Sequence, residues 1–226
     1  MKVLVDVLEN GIDVSEDYVR TVNICPNKLY ARVLTEFAYC TDEETKITVI
    51  ESDTVLNNNI IVFIDSLFSY DFDSKDIQNR IRNIIISNLN DDVAAKQNID
   101  ELFYDFTRKF IQAAGVFDYS LSYEYGFDVK KIIKLLNISV DREEARTPYD
   151  IALKIIDVYS ELFDKKLIVF NGIKAYFSKE EFDKFCLYAM YKKLRVLSIE
   201  HGDCECKGKN ERAIIVDDDY DWIAID

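Results

Sequence analysis

Residues 60–65 read IIVFID, an apolar run that ends in Asp65. Nucleotide hydrolases place an acid beside a metal-bound phosphate with such a strand. That chemistry also needs backbone amides held in a glycine-rich turn, usually GxxxxGK[ST], whose Lys and hydroxyl reach phosphate and Mg²⁺. The chain has only six glycines. Its nearest imitation, Gly202-Asp-Cys-Glu-Cys-Lys-Gly208-Lys209-Asn210, carries one residue too many between the glycines, Asn in place of the hydroxyl, and two acids where phosphate would sit. The first strand-to-helix junction, NICPNKLYARVL, offers Pro26-Asn27 where a phosphate loop belongs. Asp65 therefore reads more simply as a strand-end residue than as a metal ligand, with residual nucleotide hydrolysis kept as the alternative.

Other chemistry is weakly supported. His201, Cys204 and Cys206 are three soft ligands within six residues, but a structural zinc site takes four at defined spacing and no second cluster follows. His201 is the only histidine, and no nucleophile-elbow pattern accompanies it, so nucleophilic catalysis is not expected. The segment FDYSLSYEYGFD holds Asp118, Glu124 and Asp128. Oxygen ligands at odd spacings in a loop suit Ca²⁺, although Asp128 also reads as a helix cap and the spacing is no EF-hand. Asp217 to Asp219 with Asp221 reads as a solvated turn between strands.

Cations gather in short sets: Lys28 and Arg32; Arg80 and Arg82; Lys130, Lys131 and Lys134; Arg142 and Arg146; Lys192, Lys193 and Arg195. Each alone reads as an exposed helix face or loop. Only assembly in space would make them a phosphate track.

Two periodicities divide the elements that carry these residues. Residues 1–72 hold the β-branched runs VLVDVL, YVRTVNI, KITVI and IIVFI, with one helix opening at Pro26-Asn27 and facing inward through Leu29, Val33, Leu34 and Phe37. Residues 74–114 turn helical through Ile77, Ile81, Ile84, Ile85 and Leu89, then Ile99, Leu102, Phe103, Phe106 and Phe110. A short helix follows Asp128, and another starts with Thr147, Pro148 and Asp150. Residues 164–226 return to strand, helix, strand: KKLIVF, the box Ser178 to Glu181, LRVLSIE, then AIIV and WIAI. A strand-helix-strand crossover requires parallel strands. The expectation is an α/β domain built from 1–73 and 164–226, with a helical subdomain at 74–163.

The bulk numbers bound the class. A chain of 226 residues with 49% hydrophobic content and 31% charged residues buries a core and is not disordered. The 28 Lys and Arg against 42 Asp and Glu leave a net charge of −14, which argues against nucleic acid unless the cations are gathered locally. Five cysteines without repeated spacing read as reduced thiols. Asp6 and Glu9 interrupt a signal-peptide core, and no apolar run nears the roughly 20 residues that span a bilayer. These features predict a soluble, cytoplasmic protein.

The segments NKLYARVLTEFAY, IIVFIDSLFSYDFDSKDI, DVKKIIKLLNISVD and KKLIVFNGIKAYFSKEEFDKFCLYAMYKKLRVLSIE, with the order of elements, resemble the ring-forming adaptation protein of type II-A CRISPR systems, from about Val19 to Ile225. That resemblance implies a P-loop-NTPase-like α/β head domain with a degenerate phosphate loop, and an inserted helical leg. It implies no enzymatic activity. It also implies a homotetrameric ring that binds double-stranded DNA ends without sequence preference and acts in spacer acquisition beside the integrase pair and the effector nuclease. The family's calcium dependence places Asp118, Glu124 and Asp128 as candidate ligands, though Ser120 and Ser122 stand where relatives usually carry acids. For the DNA track it points to Lys28, Arg32, Lys130, Lys131 and Lys134. A third reading is an acidic scaffold that docks protein partners and never touches DNA.

Overall fold

The computed structural model describes residues 1–115, 128–136, 138–141, 143, 145–164, 166–202 and 208–225. They form two compact units, Met1–Asp71 with Asp141–Asp226, and Phe72–Val140. The chain runs through β1 (Lys2–Val5), β2 (Ile12–Asp13), β3 (Val19–Ile24), α1 (Asn27–Ala38), β4 (Ile47–Glu51), β5 (Thr54–Leu56) and β6 (Ile61–Ile64). The second unit supplies α2 (Lys75–Asp91), α3 (Val93–Ala114) and α4 (Val129–Leu136). The first unit resumes with α5 (Pro148–Leu162), β7 (Leu167–Asn171), α6 (Lys179–Tyr191), β8 (Arg195–His201), β9 (Glu211–Val216) and β10 (Trp222–Ile225).

The first unit is mixed α/β. Its larger sheet has the order β10-β9-β3-β8-β7-β6, all parallel except the hairpin partner β10. Strands covered on both faces read as continuous apolar runs, and Leu167, Ile168, Val169 and Phe170 are all buried. One face of the sheet, Val22, Ile24, Val169, Leu197 and Ile199, packs with Leu29, Val33 and Phe37 of α1. Phe170 turns to the other face and meets Phe185 of α6, ring centroids 5.6 Å apart.

VLVDVL and KITVI become strands, but not in this sheet. β1 and β4 join a separate antiparallel sheet, β2-β1-β4-β5. Their burial matches that placement. Val3, Val5, Ile47 and Val49 are buried while the residues between them are not. That alternation belongs to a sheet with one wet face rather than to a strand covered on both sides.

Residues 148–162, expected within the helical insertion, fall in the first unit. The inward face of α5, Ala152, Ile155, Ile156 and Tyr159, is buried. The helix lies against α6, where the Tyr188 hydroxyl donates to Asp157 Oδ1 at 2.5 Å and Lys192 pairs with the same carboxylate at 2.8 Å. Both capping boxes form: the Asp150 N–H donates to Thr147 Oγ1 at 3.1 Å, and the Glu181 N–H to Ser178 Oγ at 3.3 Å. In the second unit α2 packs with α3 and with α4. Among the described residues no helix is long and apolar enough to cross a membrane.

Candidate nucleic-acid interface

β3 passes into α1 through only Cys25 and Pro26. Leu29, Val33 and Phe37, at helical spacing, turn one face of α1 into the core. Lys28 and Arg32 are thereby left one turn apart on the exposed side. Neither has a carboxylate partner among the described residues.

α4 is built the same way on a shorter scale. Ile133 is buried and Val129 and Ile132 are half-buried, so Lys130, Lys131 and Lys134 project outward. Asp128 caps this helix, its Oδ1 accepting from the backbone N–H of Lys130 at 2.9 Å and of Lys131 at 3.4 Å. Its other oxygen lies 4.0 Å from the Lys131 ammonium. Asp118 and Glu124, with Ser120 and Ser122, lie outside the described residues. Among the described residues no group of three or more His, Cys, Asp or Glu side chains could hold a metal ion. The α1 and α4 cations belong to different compact units.

The other cation sets fare differently. Lys192 is spent on Asp157 and on Glu161 at 3.3 Å, and Arg195 on Glu51 at 2.6 Å and Glu16 at 3.2 Å. The hydrogen bond that the Lys192 ammonium donates to Asp157 pushes its pKa up. Arg142 lies outside the described residues. Sequence reasoning missed a further pair: Arg20 and Arg212, register partners on β3 and β9, both lie against the Tyr18 ring at 4.9 and 4.4 Å. Both residues are visible in the sequence, but their juxtaposition depends on strand register.

Asp65 directly follows β6 and is exposed. In the order β3-β8-β7-β6 it stands three strand spacings, roughly 14 Å, from the β3–α1 junction. Its oxygen accepts instead from Asn171 Nδ2 at 3.0 Å, and Asn171 Oδ1 accepts from the Tyr30 hydroxyl at 2.5 Å. The Tyr30 ring also meets His201 at 4.9 Å. Burial, followed by the carboxylates of Glu200 and Asp65, pushes the Tyr30 hydroxyl up. It is therefore the neutral donor this chain requires. His201 thus packs beside a tyrosine at the end of β8, while Cys204 and Cys206 lie outside the described residues.

The family model for the CRISPR-associated protein (Cas_Csn2) matches residues 38–220. The CRISPR-associated protein Csn2 of Streptococcus agalactiae is 23% identical over 202 residues, 88% of this chain and 89% of that protein. The crystal structure of Stu0660 of Streptococcus thermophilus has a similar fold, with a TM-score of 0.54 and 12% identity over 96% of this chain and 75% of its own. The chain belongs to the CRISPR-associated Cas_Csn2 family, the adaptation proteins of type II-A CRISPR systems that its sequence resembles.

Proposed function

We propose that the protein is a non-enzymatic ring, a homotetramer that binds double-stranded DNA ends without sequence preference and acts with the integrase pair and effector nuclease in spacer acquisition. The observation that carries this reading is the state of its cations. Lys28, Arg32, Lys130, Lys131 and Lys134 are exposed on α1 and α4 of a chain with net charge −14. Lys28, Arg32, Lys130 and Lys134 are free of carboxylates among the described residues. Phosphate contacts need no base readout, so a few such cations repeated by symmetry make a track.

Assembly has its own support. Leu102, Phe106 and Phe110 on α3 are 64%, 62% and 60% exposed, an apolar face that water disfavours and a second copy would cover. The absence of catalysis is favoured by the two-residue, glycine-free β3–α1 junction and by the distance between that junction and Asp65. A head related to P-loop nucleotide hydrolases accounts for five parallel strands and a first strand entering a helix, with the phosphate loop reduced to Cys25-Pro26. Calcium belongs to the same proposal, held by Asp118, Glu124 and Asp128, where it would offset carboxylate repulsion.

Charge reversal of Lys130, Lys131 and Lys134 to Glu tests the track. Duplex affinity of the parent chain should fall steeply between 50 and 200 mM salt, by about tenfold or more. The variant should bind at least about tenfold more weakly, with a flatter salt dependence. Unchanged affinity in the variant would place the track on other cations, and a parent chain that binds no duplex would favour the acidic-scaffold reading instead.

A further inference from the structure

In the helical unit an open cavity of about 480 Å³ lies between the first turns of α2 and the segment after α4. It is lined by Asp73, Lys75, Gln78, Asn79, Arg82 and Ser139. Its hydrogen-bonding groups are unbalanced toward donors. Arg82 Nη1 donates to Asn79 Oδ1 at 3.2 Å and Gln78 Nε2 to Asp73 Oδ1 at 3.4 Å, which occupies two of the acceptors. Arg82 Nε is buried with no acceptor. The Lys75 ammonium has no carboxylate partner among the described residues. A buried N–H of a charged group left unpaired is unfavourable, and native folds rarely keep one without a use.

An acceptor-rich anion is the ligand that suits this set of donors. Lys75 and Arg82 outweigh Asp73 by one charge, and a phosphate monoester, at about −1.5 to −2 at pH 7, supplies both that charge and several acceptor oxygens. Arg presents a fork that matches two phosphate oxygens, and Lys a point charge that suits a third. The cavity lies within the roughly 300–1,000 Å³ range of small-molecule sites, so it has room for an organic group on the phosphate. We propose that this cavity binds a phosphate monoester or inorganic phosphate between Arg82 and Lys75, with a small rotation of the guanidinium bringing Nε to the ligand. Asp73 sets the limit on affinity by repelling it. This site is separate from the cations assigned to the DNA track, and its test does not depend on them.

The probe is inorganic phosphate, titrated calorimetrically into the full chain at constant ionic strength in calcium-free buffer. Saturable binding is expected, weakened at least about tenfold in Arg82→Gln and in Lys75→Gln, and tightened in Asp73→Asn. Should Arg82→Gln fold poorly by circular dichroism, the exposed Lys75 and Asp73 variants carry the test. Absence of saturable binding, or binding indifferent to both Lys75→Gln and Asp73→Asn, overturns the proposal. Displacement of phosphate by a 5′-phosphorylated duplex but not by its 5′-hydroxyl counterpart identifies a polynucleotide terminus as the source. Lack of displacement identifies a free phosphate, and either result retains the site.

Discussion

The side chain of Lys174 is 2% exposed and pairs with Glu211, itself 1% exposed, while its ammonium rests over the Phe182 ring at 4.9 Å. Ser198 Oγ and the Lys174 backbone N–H both donate to the nearby Glu200 Oε1, at 2.5 and 3.2 Å. Burial nevertheless pushes the Glu200 carboxyl up. A buried pair is stable only as a pair, because removing one charge strands the other. Glu211→Gln should therefore cost about 3–5 kcal/mol in urea unfolding, and the double replacement Lys174→Met with Glu211→Leu should recover most of it. A loss below about 1 kcal/mol for Glu211→Gln would mean that the ammonium has another counter-charge. Little of this network could be read from the sequence: Ser198 and Glu200 share a face of β8, but Lys174, Phe182 and Glu211 come from separate parts of the chain that only the fold brings together. Asp65 was legible as a strand end for the opposite reason, its signal being local. Its partners Asn171 and Tyr30 were not.

Local signals also explain which elements could be foreseen. The starts of α5 and α6 are written in four consecutive residues each, Thr147 to Asp150 and Ser178 to Glu181, and both boxes form. Thr147→Ala should destabilise the protein by about 1 kcal/mol. Hydrogen bonds from Thr147 hold the Asp150 carboxyl below its usual range, and those from Ser178 do the same for Glu181. A carboxylate with a depressed folded-state pKa contributes stability that is present above its unfolded value, about 4, and lost as pH falls through the folded one. Thermal melts of Asp150→Asn and Glu181→Gln should therefore lie below the parent at neutral pH and converge on it in acid. A gap that persists in acid would contradict this. What sequence could not supply was the destination of each strand. KITVI is legible as a strand, yet its departure from the parallel sheet follows from which faces its neighbours cover, a property of the assembled layers. The helices at 148–162 and 179–191 were likewise legible, while their packing against each other was not.

For the molecule as a whole the governing quantities are a surplus of negative charge and exposed apolar residues on α3. The first disfavours a nucleic-acid complex by a single subunit. The second favours copies coming together, and with them their cations. Phe106→Asp should accordingly reduce the mass measured by light scattering from that of a tetramer to that of smaller species, and weaken duplex binding in parallel. A tetramer that persists in that variant would place the contact elsewhere. A ring that grips DNA at its ends distinguishes linear from closed-circular duplex of equal length and sequence in a competition assay. Linear duplex should displace labelled DNA at concentrations where the circle does not; equal competition by the two would rule out end recognition.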